Sequence, residues 1–177
     1  MSTIITTDNY QRSENLEFVD NLDDWKVHHD DVDPRGYDVK LADGTVVGEV
    51  EGLLADVSAR RVRYVELELD DAIRREDVGG IFSDDDLYIL VPVGIVRIDK
   101  VSNSVFIDGL GRDHIVRYPR YNRNRGYTTG YEIDTNDYLA EYHPFGEDYD
   151  RNYWSTNEYR SCNRLDEKFY DRRFYRS

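Results

Sequence analysis

The stretch that decides the fold is residues 35–54, which read RGYDVKLADGTVVGEVEGLL. Two strand-like runs, 37–41 and 46–50, flank a turn that contains Asp43 and Gly44. Glycine accepts the positive φ that a tight turn requires, so Asp-Gly between alternating apolar residues is the strongest short signal for a β-hairpin. The sequence therefore predicts two antiparallel strands joined at residues 42–45.

Three further segments have the pattern of strands. Residues 62–69 alternate between apolar and polar side chains, and a shift of phase near Tyr64 predicts a β-bulge. Residues 87–98 are almost continuously apolar, and Pro92 predicts a bend between two strands because proline cannot donate to a ladder. Residues 105–107 follow a turn and predict a last strand. Short strands between turn signals favour a mainly β fold, either a small barrel or a sandwich.

Composition excludes several classes of protein. The 177 residues carry a formal charge of −14, and a negative field of this kind repels phosphate backbones and anionic membranes. No segment approaches the roughly 20 apolar residues needed to span a bilayer, and the first residues do not resemble a signal peptide. Cys162 is the single cysteine, so an intramolecular disulfide is excluded and a cytoplasmic location is expected.

The chain divides into three parts. Residues 1–27 form a polar leader with a weak helix pattern over 13–22, and residues 28–118 form the β domain. Within this domain the polar segment 71–86 is expected to be a mobile loop. Residues 119–177 form an extension that holds ten of the fifteen tyrosines, with ten basic and eleven acidic residues. Disordered linkers are normally poor in aromatic residues, so this extension is expected to pack.

The extension is expected to be partly helical. The capping-box spacing of residues 155–158 predicts a helix over 156–171, and residues 135–142 are a weaker second candidate. The predicted anchors against the β domain, or against that of a second subunit, are Tyr138, Leu139, Trp154, Tyr159, Leu165 and Phe169. Binding of single-stranded nucleic acid by aromatic stacking is the alternative, which a near-zero charge disfavours.

Residues 25–121 resemble the PRC-barrel, the small β-barrel of the cytoplasmic domain of the photosynthetic reaction centre H subunit. The segments that carry the resemblance are 33–39, the turn at 43–44, 47–50, 53–56, 61–67, 90–94 and 118–121. The resemblance implies a small PRC-type barrel that acts as a protein-contact module and is often a homodimer. It implies no catalytic residues, because the family has no common catalytic site.

The family resemblance leaves three functions open. The leading hypothesis is a stand-alone, non-enzymatic scaffold that binds itself and an unidentified protein partner. A peripheral subunit that tunes a photosynthetic or other membrane redox complex is the alternative, and a ribosome- or RNA-associated factor is a weaker one. The transmembrane helix of the H subunit and the β-barrel domain that precedes the module in the ribosome factor have no counterpart in these residues, which favours the stand-alone class.

The candidate chemical groups each have a simpler interpretation. The cluster His28, His29, Asp30, Asp31 and Asp33 could hold a metal, but adjacent strand residues point to opposite faces, so a solvated strand entry is favoured. The run 84–86 lacks the spacing of a calcium loop and is expected to be a charged turn. Cys162 is expected to be a buried packing residue. No cofactor, metal or catalytic residue is therefore expected.

One acidic face remains as a candidate surface. Glu66, Glu68 and Asp70 alternate along the predicted strand 62–69 and its end, so they are expected to point outward. The face is interpreted either as simple hydration or as a docking surface for a basic partner.

Overall fold

The computed structural model describes residues 16–28, 31–76, 79–80, 82–124, 126–148, 156–157, 165 and 167–176. The strands in these ranges are β1 Leu16–Phe18, β2 Asp38–Leu41, β3 Val46–Asp56, β4 Arg61–Leu69, β5 Tyr88–Pro92, β6 Val96–Asp99 and β7 Ser104–Ile107. The α-helices are α1 Asp71–Arg74, α2 Arg112–Arg117 and α3 Thr129–Tyr142. Short 3₁₀ helices cover Val19–Asn21, Val93–Ile95, Pro144–Asp148, Glu167–Asp171 and Arg173–Tyr175.

The predicted hairpin is confirmed as β2 and β3. Gly44 has a φ of +86°, and its N–H donates to the Leu41 carbonyl at 2.9 Å. The Asp43 carboxylate accepts the Thr45 N–H at 2.9 Å, which closes the turn from the side-chain side. The second strand continues well past the hairpin to Asp56. This long strand therefore becomes the centre of the sheet.

All seven strands join one mixed sheet. Its order is β5-β4-β3-β2-β7-β6, and β1 pairs with the far end of β3, beside β2. The β2–β7 pair is parallel, and the other pairs are antiparallel. Within the described residues β5 and β6 end the sheet without pairing with each other, so the sheet is open. The mainly β class is confirmed, and a closed barrel is not shown.

Two irregularities were expected, and both are present. The β3–β4 register shifts between Leu54 and Ala55, where β4 has one extra residue next to Tyr64, as the change of phase predicted. A second shift lies at Glu51 in β3. Pro92 ends β5, and a 3₁₀ turn then leads into β6. Both predictions rested on local rules, namely side-chain alternation and the missing proline donor.

The helix predicted weakly over residues 13–22 is wrong for the residues of this segment that the structure describes. Residues 16–18 form β1, which pairs with residues 54–56 of β3, and a single 3₁₀ turn follows. Leu16 is buried, and its carbonyl accepts the Tyr127 hydroxyl at 2.9 Å. Ladder bonds and burial against the sheet outweigh a weak local helix preference. The segment 71–86, expected to be a loop, begins with the short helix α1.

The extension packs on the sheet where the structure describes it. Helix α3 includes the predicted 135–142 segment but begins earlier, after Thr128, whose hydroxyl accepts the Tyr131 N–H at 3.0 Å. Most of the helix predicted over 156–171 lies outside the described residues, and its described end is a 3₁₀ helix. Among the described residues, no helix combines the length and the apolar character needed to cross a membrane.

Candidate interaction site on the acidic face of the sheet

Three carboxylates lie side by side across the central strands. Asp38 of β2 is paired with Glu49 of β3, and Glu49 is paired with Glu68 of β4. Residues directly opposite each other share one face, with Cβ atoms about 4.5–5.5 Å apart. Asp38 and Glu49 are exposed, and Glu68 is half-buried. We call Asp38, Glu49 and Glu68 the acidic row.

The acidic row continues into a surface groove of about 550 Å³. The groove is lined by Glu49, Glu51, Glu68, Leu69, Asp70, Asp71, Ala72 and Arg74. Five of these side chains are carboxylates and one is a guanidinium, so the lining has a formal charge of −4. Arg74 pairs with Asp71 within α1. The groove is therefore open, polar and strongly negative.

Glu66 does not belong to the exposed face, and its expected outward exposure is wrong. The side chain lies on the same face as Glu68, but residues 121–124 cover it, and its exposed fraction is 0%. The Tyr121 hydroxyl and the Arg123 guanidinium both donate to its carboxylate. Alternation predicts the face on which a side chain lies, but it carries no information about a distant segment that covers this face.

The covered carboxylate of Glu66 is held in an ion pair next to the acidic row. Burial raises the pKa of Glu66, and the ion pair with Arg123 opposes this rise. Arg123 also stacks on Tyr88, with 4.4 Å between the guanidinium carbon and the ring centroid, and lies 3.6 Å from Glu51. The Glu66–Arg123 pair fastens residues 121–124 beside the acidic row. This pair is a structural anchor, and the row remains the exposed part.

A second buried carboxylate, Glu132, lies among tyrosines from two distant parts of the chain. The hydroxyls of Tyr64 and Tyr170 donate to its carboxylate at 2.8 and 2.6 Å. The Tyr64 and Tyr175 hydroxyls are 2.8 Å apart. Burial, and then the Glu132 charge, raise the pKa of the Tyr64 hydroxyl. We call Glu132, Tyr64, Tyr170 and Tyr175 the tyrosine cluster, which joins β4, α3 and the C-terminal segment.

Sequence reasoning missed the tyrosine cluster. Tyr64 is separated from Glu132 by 68 positions and from Tyr175 by 111 positions. No periodicity or spacing connects residues so far apart. The signal that existed was the unusual tyrosine content of the extension, which predicted packing without specifying partners.

His143 links the end of α3 to the loop after β7. Its Nδ1 accepts the Phe145 N–H at 3.1 Å, so Nε2 carries the proton and donates to the Asp108 carbonyl at 2.9 Å. The ring packs against Phe145 and Phe174 at centroid distances of 4.7 and 5.7 Å. Burial lowers the pKa of His143 below its usual 6.5. The folded protein therefore favours the neutral form of the imidazole ring.

We expect acidification to weaken the protein through His143. Because its folded-state pKa lies below 6.5, the unfolded chain binds more protons in the window between the two values. The free energy of unfolding should therefore rise with pH through this window and level off above about pH 7. His143→Asn should flatten this dependence in chemical denaturation series at several pH values. Exposed His28 is the control, and an equal flattening in His28→Asn would contradict the assignment.

Two residues of the clusters considered as metal or calcium ligands, Asp33 and Asp86, have ordinary partners. Arg35 binds Asp33, and this ion pair lowers the pKa of the Asp33 carboxyl. Asp86 accepts the Ser83 N–H at 3.0 Å, which is typical of a charged turn. Across the described ranges, no group of three or more His, Cys, Asp or Glu residues could hold a metal ion. His29, Asp30 and Cys162 lie outside the described residues.

The predicted anchors of the extension lie mostly inside this chain. Leu139, Leu165 and Phe169 are buried in its core. The Tyr138 hydroxyl donates to the His114 carbonyl at 2.7 Å, and its ring packs on Tyr118. Trp154 and Tyr159 lie outside the described residues. Packing of the extension on its own β domain is thus observed, and contacts between subunits stay a prediction.

Comparison with known proteins adds no family to this description. The chain matches no protein-family model and no curated protein. Its class is therefore defined by its own fold and surface: a mainly β domain with an aromatic extension and an acidic row on one face.

Proposed function

We propose that this chain is a non-enzymatic protein-interaction module, a scaffold that binds a basic segment of a partner protein through the acidic row and its groove. The observation that carries the proposal is the register of Asp38, Glu49 and Glu68 across three neighbouring strands. Like charges directly opposite each other destabilise a sheet. A bound lysine or arginine side chain would relieve this repulsion. The row therefore lowers the stability of the free protein and favours binding of a cationic partner.

The charge of the groove also suits recruitment of such a partner. Complementary fields raise association rates, and they act more strongly at low salt. The groove has a volume of about 550 Å³, and its carboxylates can accept the donors of Arg and Lys. Nucleic acid and anionic membranes would meet repulsion at the same surface. A basic peptide segment is the occupant that fits this chemistry.

The finer description of the module is part of the proposal. The proposal of a PRC-type barrel is based on the resemblance of residues 25–121, and it is more specific than the open sheet described above. Self-association and a cytoplasmic location are proposed on the same footing as the partner. Each is supported by the sequence pattern described above.

Binding of a basic peptide tests the acidic row. We expect the double variant Glu49→Gln with Glu68→Gln to weaken binding of an Arg- and Lys-rich peptide about tenfold, measured by calorimetry at low salt. The same variant should raise the free energy of unfolding by about 0.2–1 kcal/mol, because it removes a like-charge pair. Residues that support binding but destabilise the free fold are typical of functional sites.

A matched control separates a specific site from general acidity. Asp84→Asn with Asp85→Asn removes the same charge from an exposed turn outside the groove. This control should keep the peptide affinity within about twofold of the starting protein. An equal loss of peptide affinity in both double variants would show that binding depends only on the net charge of the protein. The proposed site would then be wrong.

A further inference from the structure

The four-residue strand β6 leaves one edge of the sheet open. In the part of the chain that the structure describes, β6 pairs with β7 and with no other strand. Two apolar side chains at this edge are exposed: Ile98 of β6 is 39% exposed, and Val101, in the following turn, is 95% exposed. Open strand edges present unpaired backbone groups and are ready templates for another strand.

The pairing with β7 shows which backbone groups face the open edge. The Asp108 N–H donates to the Ile95 carbonyl at 3.0 Å, so residues 95 and 108 form a hydrogen-bonded pair. In an antiparallel ladder such pairs alternate, so residues 97 and 99 also bond to β7. The N–H and C=O groups of Val96 and Ile98 therefore point away from the sheet.

We propose that β6 binds β6 of a second copy of this chain, antiparallel and across a twofold axis at Ile98. This inference rests on the self-association part of the proposed function and identifies the surface for it. It differs from the predicted anchors of the extension, several of which are buried within the chain. The acidic row lies on β2, β3 and β4, so the two surfaces are independent.

Charge selects this register among the possible ones. Only registers that place outward-facing groups opposite each other allow hydrogen bonds, which leaves twofold axes at residues 96, 97, 98 and 99. An axis at 96 sets Arg97 against Ile95, so it brings no opposite charges together. An axis at 97 sets Arg97 against Arg97, and an axis at 99 sets Asp99 against Asp99. Like charges directly opposite are destabilising. The axis at 98 instead places Arg97 opposite Asp99 twice, so the strand is complementary to itself in this register alone.

The apolar side chains of β6 also favour the twofold axis at Ile98. Val96 and Ile98 are paired with Ile107 and Val105, both fully buried, so they lie on the core side of the sheet. An axis at Ile98 brings the two Ile98 side chains together and covers their exposed fraction. The core would then continue from one copy into the other, which adds burial to the backbone hydrogen bonds.

Sedimentation equilibrium of the full chain at rising protein concentration tests the inference. We expect a reversible dimer at twice the 20.9 kDa monomer mass. Arg97→Glu should raise the dimer dissociation constant at least about tenfold, because it sets two carboxylates against each other in both pairs. Arg75→Glu makes the same charge change at an exposed position on the end of α1 and should leave the constant within about twofold.

Two further variants test the charge pairing and the backbone hydrogen bonds of the proposed dimer separately. Asp99→Arg alone should also weaken the dimer, whereas a mixture of Arg97→Glu and Asp99→Arg chains restores opposite charges and should form a heterodimer. Because Asp99 also accepts the Val101 N–H, circular dichroism must first show that the Asp99→Arg variant folds.

Ile98→Pro tests the same pairing without a change of charge. It removes one outward-facing N–H donor, leaves the hydrogen bonds to β7 in place, and should give a monomer.

The outcomes separate this inference from the rest of the proposed function. A monomer at every concentration would overturn both the β6 pairing and self-association. A dimer that is unchanged in Arg97→Glu and Ile98→Pro would overturn the β6 pairing while self-association stands. Failure of basic-peptide binding with an intact, Arg97-dependent dimer would overturn the acidic row alone.

Discussion

Glu132→Ala is expected to lower the free energy of unfolding by about 3–5 kcal/mol, because two buried hydroxyls lose their acceptor and a cavity opens. Tyr64 and Tyr170 both donate to this carboxylate, and all three side chains are buried. The loss should appear in chemical denaturation of the full chain. Since the tyrosine cluster joins β4, α3 and the C-terminal segment, hydrogen exchange should also rise in residues 167–176.

Two comparisons isolate the cause of this loss. Glu132→Gln keeps one acceptor oxygen for the tyrosine hydroxyls and should therefore cost less than alanine. Glu141→Ala removes an exposed carboxylate from the same helix and should stay within about 0.5 kcal/mol of the starting protein. A Glu132→Ala protein within about 1 kcal/mol of the starting protein would contradict the role given to the tyrosine cluster.

Gly94→Ala is expected to have the second large effect, a loss of about 3 kcal/mol through a backbone clash. A Cβ atom at this position would lie 2.1 Å from the Arg173 carbonyl oxygen and 2.5 Å from that of Phe174. Neither atom belongs to a flexible side chain, so the C-terminal 3₁₀ helix would have to move. Phe174 and Tyr175, both buried, would then be partly uncovered.

Denaturation and limited proteolysis together measure this effect. Cleavage within residues 167–176 should accelerate in Gly94→Ala, because the segment is displaced from the turn between β5 and β6. Gly111→Ala is the matched control: its Cβ would meet nothing closer than 3.7 Å, and its φ is −96°. The control should cost less than about 1 kcal/mol. Equal stability of the two variants would mean that the C-terminal segment does not dock at Gly94.

The candidate site shows how far side-chain alternation extends. It identified Glu68 and Asp70 as members of an acidic face, and both line the groove. It did not identify the row itself, because the alignment of Asp38, Glu49 and Glu68 depends on the register of three strands. That register is set partly by the shift at Glu51, which local rules did not predict.

Local chemistry in the sequence determined the hairpin at Gly44, the strand predicted over 62–69, the bend at Pro92 and the mainly β class. Each depends on neighbouring residues: a turn glycine, an alternation of side chains, or a proline without a donor. Only the tertiary structure decided the parallel β2–β7 pair, the covering of Glu66 and the tyrosine cluster. These features join residues that are far apart in the chain, and their free energy comes from burial and hydrogen bonds that exist only after the chain has folded.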